Sequence, residues 1–156
     1  MRRIRSPRPE EAALLGTITQ RATRISLPTA YVLQIARRAA FPAGFEVDLD
    51  APGWRWAVLP NDADQPVGYA AVEPRRGTLA ALYVDPDHQG QGHGLRLLRW
   101  AERRLRAAGH RRLRTDAELP ALAFYLRHGW RALAATTLDL EARGRLPVVR
   151  LVKVFR

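Results

Sequence analysis

Between Leu82 and Leu95 an apolar run ends at Asp85-Pro86, and three glycines then follow at alternate positions: Gly90, Gly92 and Gly94. Leu95 opens a long amphipathic pattern. Residues of these types in this order make a strand, a glycine loop and a helix. The first N–H groups of a helix have no partner within it, and the macrodipole favours negative charge there. Glycine adopts positive φ at little cost and has no Cβ, so a phosphate can come close to the main chain. The chemistry implied is an anion held by backbone amides.

Two common phosphate loops do not fit. A nucleoside triphosphate loop needs G-x-x-x-x-G-K-[ST], and no lysine and hydroxyl follow here. A dinucleotide fingerprint needs G-x-G-x-x-G, and no third glycine stands at that spacing. What is present is Q-x-x-G-x-G, at Gln89, Gly92 and Gly94. Farther on, residues 121–130 read A-x-x-F-Y-x-x-x-G-W, with Leu122, Tyr125 and Leu126 within one helical turn. Gly129 is placed as a left-handed C-cap before the next strand. These two segments resemble motifs A and B of the GNAT superfamily of acyl-CoA-dependent N-acyltransferases, in the same order and at the same separation. The likeness extends over most of the chain, but these segments are its specific part.

The resemblance implies an α/β (α+β) GNAT fold. Its sheet is mixed and mostly antiparallel, of six to seven strands, with helices on both faces and a splay between two central parallel strands. Main-chain groups exposed in the splay must find partners, and in the family the pantetheine arm supplies them as a pseudo-strand. The main chain of Leu82, Tyr83 and Val84 is then expected to bind pantetheine and the acetyl group. Gln89, Gly90, Gln91, Gly92, His93, Gly94 and Leu95 are expected to form the pyrophosphate loop. Acetyl-CoA is the implied cosubstrate, and the acetyl group passes directly to a primary amine of a small molecule or protein in a ternary complex.

Acyl transfer needs a donor for the leaving thiolate and an acceptor for the amine's proton. Tyr125 matches the family tyrosine that protonates the thiolate, and a phenol of ordinary pKa about 10 suits that task. Its other reading is an aromatic that packs the helix on the sheet. Two family positions for a basic glutamate hold Thr78 and Leu113 here. Glu73 is the catalytic candidate in their place, with Asp116 as the other nearby carboxylate and a water relay as a further route. Glu46, Asp48 and Asp50 either bind a cationic acceptor or are solvated. Glu118 occupies a position where the family pattern often has asparagine; it is expected to point away from the phosphates or to cap the turn before Pro120. His93, His110 and His128 adjoin glycines as capping or surface residues, His93 also within reach of a phosphate.

Length and composition narrow the function. A chain of 156 residues makes one domain, 1–156, with a single core. Without cysteine it has no disulfide, thiolate nucleophile or zinc–thiolate site, which favours direct transfer over an acyl-enzyme. Four histidines with no H-x-x-x-H spacing give no reason to expect a metal. No apolar run approaches the roughly 20 residues that span a bilayer, and the N-terminus lacks a signal-peptide core, so a cytoplasmic protein without a membrane partner is expected. The net charge of +11 would steer a polyanion such as coenzyme A. It would also suit nucleic acid, but the basic residues are dispersed as on a solvated surface. The rival reading is a basic nucleic-acid-binding or regulatory module with the same fold and no turnover. Many family members dimerise through terminal strands, so a homodimer is admitted.

The elements that must position these residues follow from periodicity. A short edge strand near Ile4 leads past Pro7 and Pro9 into a helix over 9–23 with Ala13, Leu14 and Ile18 recurring. A second helix after Pro28 carries Tyr31, Val32, Ile35 and Ala39 on one side, and the resemblance implies that this helix pair borders the acceptor site. Three strands, 54–59, 67–72 and 78–84, lead to the glycine loop. The helix over 93–108 turns Leu95, Leu98, Ala101, Leu105 and Ala108 inward. Arg96, Arg99, Arg103 and Arg106 lie on another face, toward solvent or toward the 3′-phosphate of coenzyme A. A strand at 113–117 runs parallel to 78–84, as a right-handed crossover requires. A helix over 121–128 and strands 130–138 and 148–155 complete the chain.

Overall fold

The computed structural model describes residues 2–22 and 31–156, without the side chains of Tyr31 and Val32. Six strands form one sheet in the order β1-β2-β3-β4-β6-β5. They are β1 (Arg55–Pro60), β2 (Pro66–Glu73), β3 (Thr78–Val84), β4 (Arg112–Ala117), β5 (Arg131–Asp139) and β6 (Arg145–Val154). The β3–β4 pair is parallel and the other pairs are antiparallel. Among the described residues four α-helices join them: α1 (Ala12–Arg21), α2 (Tyr31–Ala40), α3 (His93–Ala107) and α4 (Leu122–Arg127). No helix among the described residues is long and apolar enough to cross a membrane.

Helices on both faces explain why β2 is buried along almost its whole length instead of alternating. On one face α3 presents Leu97, Leu98, Ala101 and Leu105 to Leu59, Ala70, Val72, Leu79 and Leu113, and α4 adds Tyr125 to this cluster. On the other face α1 sets Leu15 and Ile18 against Val58 and Tyr69, with Tyr83 at the margin. The inward stripe of α3 includes Leu97 and leaves out Ala108, which is exposed at the end of the helix.

The ladder between β3 and β4 is short. Only Thr78 with Arg114 and Leu79 with Thr115 are in register, although both strands continue. The register of β2 on β3 shifts at the same level, from Ala71 opposite Ala81 to Val72 opposite Leu79, leaving Ala80 as the extra residue. A bulge bends and twists its strand, here turning β3 away from β4. The Thr115 hydroxyl donates to the Leu79 carbonyl at 2.8 Å, closing the root of the gap. The expected splay between two parallel strands is therefore present.

Two expectations are corrected. The N-terminal segment makes a single bridge, Arg5 with Val58, in place of an edge strand. Pro7 and Pro9 have no N–H to continue a ladder. Helix α2 is also rotated relative to the sequence reading: Ile35 is 51% exposed and Ala39 is exposed, while Ala40 and the charged Arg37 are buried. Tyr31 and Val32, the other residues assigned to that face, lie outside the described side chains, as do residues 23–30 altogether.

Candidate active site

A cavity of about 760 Å³ opens where β3 and β4 part. Leu82, Tyr83 and Val84 line it from the end of β3, and Gln89, Gly90, Gly92, Gly94 and Leu95 from the loop and the first turn of α3. Phe124 and Tyr125 line it from α4, together with Arg127 and His128 near its end. Gln91 and His93 are not among the lining residues. Gln91 is exposed, and the half-buried His93 ring is held below its ordinary range by burial, aided by Arg96 and His88.

The glycine loop leads straight into α3. Gly92 is the N-cap of α3 in the left-handed region, φ +81°, and the first helical hydrogen bond runs from the Arg96 N–H to the Gly92 carbonyl at 3.1 Å. The N–H groups of His93, Gly94 and Leu95 thus have no partner in the helix. Gly94 lies close under Phe124: a Cβ there would meet the ring at 3.3 Å and push it back by a few tenths of an ångström. The Gln89 side chain is used inside the protein, its Nε2 donating to the carbonyls of Val84 and Ala22, each at 3.0 Å. Arg21 ties the end of α1 to the same loop through Asp85 at 2.6 Å and Asp87 at 2.8 Å.

Tyr125 is 4% exposed, its ring edge-on to Phe124 and Trp130. Burial pushes its phenol well above the ordinary range; hydrogen bonding with Thr115 opposes this, and the charge of Glu118 adds to the rise. The hydroxyl is therefore held in its protonated form at neutral pH.

Glu73 is not brought to this cavity. It pairs with Thr78 at the opposite end of β3 from Val84, about 20 Å away at the usual rise of a strand. Its carboxylate lies 3.7 Å from Arg76. Asp116 is engaged at the surface by Arg150 at 3.0 Å. Glu46, Asp48 and Asp50 line a separate cavity beside β1, with Trp54, Trp56 and Trp100.

Glu118 makes no capping hydrogen bond and is not among the residues lining the cavity; its carboxylate turns inward, where Oε1 accepts from Arg37 Nε at 2.7 Å and Oε2 from the Tyr83 hydroxyl at 3.0 Å. The pair is nearly dry, with the side chains of Arg37 and Glu118 8% and 10% exposed. Arg37 also donates to the carbonyls of Thr19 and Gln20, which satisfies orphan acceptors at the C-terminus of α1, and it stacks over Phe41. Sequence reasoning missed the pairing of Arg37 with Glu118. The signal for Arg37 was a second stripe on α2, in which Leu33, Ala36 and Ala40 share its side.

A family model described as an acetyltransferase (GNAT) domain matches residues 52–132, half of the chain. The chain belongs to the GNAT acetyltransferases. Among solved structures it is similar to a GCN5-related N-acetyltransferase from Rhodopseudomonas palustris, at 25% identity and a TM-score of 0.79, covering 98% of this chain and 95% of that one. The fold is shared with a nourseothricin acetyltransferase at 20% identity and a TM-score of 0.65, covering 99% of this chain and 98% of that one. It is shared also with the ribosomal-protein-S18-alanine N-acetyltransferase of Escherichia coli at 17% identity and a TM-score of 0.65, covering 98% and 93%. No curated protein matches the sequence. Membership of the GNAT acetyltransferases implies an acyl-CoA donor and an acceptor, and the cavity at the splay suits the former. It opens where the β3–β4 ladder has stopped, and it is lined by the glycine loop and the first turn of α3.

Proposed function

We propose that this GNAT acetyltransferase moves an acetyl group from acetyl-CoA to a primary amine by direct transfer. The observation that carries the reading is the parting of β3 from β4 beside both the glycine loop and Tyr125. Main-chain groups of Leu82, Tyr83 and Val84 would hold the pantetheine arm and polarise the thioester carbonyl, where negative charge develops during attack. The amides of His93, Gly94 and Leu95, with those of Gly90 and Gln91 before them, would hold the pyrophosphate. Gln89 serves from behind, fixing the loop to β3 and to the end of α1. Tyr125 would hold a proton for the departing sulfur.

Acetyl-CoA should raise the melting temperature, and thiol release should depend on added amine. Nourseothricin and a peptide with an N-terminal alanine are the first acceptors to try, since relatives of the same fold carry those names. Absence of stabilisation by acetyl-CoA would defeat the proposal.

A further inference from the structure

The transfer needs a group that takes the amine's proton; Glu73, Asp116 and Glu118 all stand off the cavity lining, but Glu118 is hydrogen-bonded to a residue that forms it, Tyr83. The splay has two sides. Tyr125 belongs to the side packed by α3 and α4, whereas the Tyr83 ring belongs to the side packed by α1. Glu118, at the end of β4, reaches the Tyr83 hydroxyl on that second side. Glu118 and Tyr125 therefore flank the gap from opposite faces, the arrangement wanted when an amine attacks from one side and a thiolate leaves on the other.

We propose that Glu118 is the catalytic base of this enzyme, taking a proton from the acceptor ammonium on the α1–α2 side of the splay. This rests on the acetyl-transfer reading above. Among the described residues, the charged and titratable groups facing the carboxylate are Arg37 from α2, Tyr83 from β3, Tyr69 from β2 and Tyr125 from α4. Arg37 and Tyr83 fix the carboxylate plane with one hydrogen bond to each oxygen. Each carboxylate oxygen has about two acceptor sites, so capacity remains for an incoming N–H. Glu118 removes one proton from the ammonium, freeing the nitrogen lone pair to form the C–N bond as the C–S bond breaks. Tyr125 gives its hydroxyl proton to the sulfur and recovers one from the acylated nitrogen. Glu118 then releases its proton to solvent, so amide, thiol and one proton leave the enzyme.

The test compares Glu118→Gln, which keeps an oxygen for Tyr83, with Glu118→Asp, which keeps the charge one methylene farther back. Acceptors are nourseothricin and the alanine peptide; the slow hydrolysis of acetyl-CoA, with water in place of the amine, gives the same readout if neither is used. Acetyl-CoA should stabilise Glu118→Gln as it does the parent, while kcat falls about 10²-fold or more and the acidic limb of the kcat/KM profile vanishes. In Glu118→Asp that limb should persist with kcat reduced and the KM for acetyl-CoA unchanged, a comparison that decides the matter if the Gln variant does not fold. An acidic limb retained in Glu118→Gln, unchanged kcat in Glu118→Asp, or turnover lost only in step with acetyl-CoA stabilisation would overturn the assignment. The last outcome would make Glu118 a strut across the splay. Failure of acetyl-CoA to stabilise the parent protein would remove the underlying reading, and this one with it.

Discussion

The Tyr83 hydroxyl donates to Glu118 at 3.0 Å, joining β3 to the end of β4 across the mouth of the gap where their ladder has stopped. Arg37 completes the span from α2. A buried ion pair of this kind adds little net stability over apolar residues of the same shape, but breaking it leaves a dry charge unpaired. Arg37→Met should therefore cost about 3–5 kcal/mol in urea unfolding. The double variant Arg37→Met with Glu118→Leu should recover much of that stability while remaining inactive. Equal losses in the single and double variants would show that capping of α1 by Arg37, not charge pairing, dominates.

Tyr125→Phe separates catalysis from packing. The ring contacts with Phe124 and Trp130 survive the change, so the melting temperature should shift little. Loss of the proton donor should lower kcat about 10²–10⁴-fold without weakening acetyl-CoA binding. Because the folded phenol titrates above its ordinary range, Tyr125 should cause no loss of activity below about pH 10. An alkaline limb below that pH that disappears in Tyr125→Phe would contradict the assignment.

The loop was legible in the sequence because its determinants are local, whereas the splay was expected only through the family resemblance. Alternating glycines, a strand that ends at Asp85-Pro86 and a capping Gly129 each state a backbone requirement within a few residues. The Arg37–Glu118 pair joins positions 81 apart, and no local pattern records it. Composition even pointed the wrong way: Ile35 was the natural choice for the inner face of α2, yet it is exposed while an arginine is buried. A guanidinium with a carboxylate and two helix-end carbonyls to satisfy outweighs one isoleucine's preference for burial. Glu73 was misplaced for a related reason. Nearness to the splay strand in sequence put it on the neighbouring strand, but at the wrong end of it.

Gly92 tests the anion loop. With φ +81° and open space where an alanine methyl would sit, Gly92→Ala meets strain but no clash. An L-residue in the left-handed region costs roughly 1–2 kcal/mol, which the loop can relieve by re-aiming its amides. The KM for acetyl-CoA should rise with kcat largely kept. Gly53→Ala is the control, since φ is +79° there with equally open surroundings, far from the cavity lining. It should lose similar stability with no change in KM; parallel effects on KM in both variants would remove the loop from acetyl-CoA binding.

Glu11 gives the stability a defined acid dependence. Its carboxylate takes Arg5 Nη1 and Nη2 at 3.0 and 2.7 Å and the Arg8 N–H at 2.7 Å, with only 9% of the side chain exposed. The Arg5 hydrogen bonds, opposed by burial and aided by the Arg8 amide, hold its pKa below the ordinary carboxylate value. A depressed folded pKa means that the unfolded chain binds the proton more readily. The stabilisation is therefore complete above the ordinary carboxylate range and is lost as pH falls through that range to the folded value. Glu11→Gln should cost about 1–3 kcal/mol near neutral pH, as expected for hydrogen bonds to a charged group. Melting curves of parent and variant taken from about pH 7 to about pH 3 should converge at the acid end. Asp64 is shifted in the same direction by Arg8 and Arg5, so the variant should keep a shallower slope of its own. A gap between the two proteins that stays constant across that range would show that Glu11 acts through packing and not through its charge.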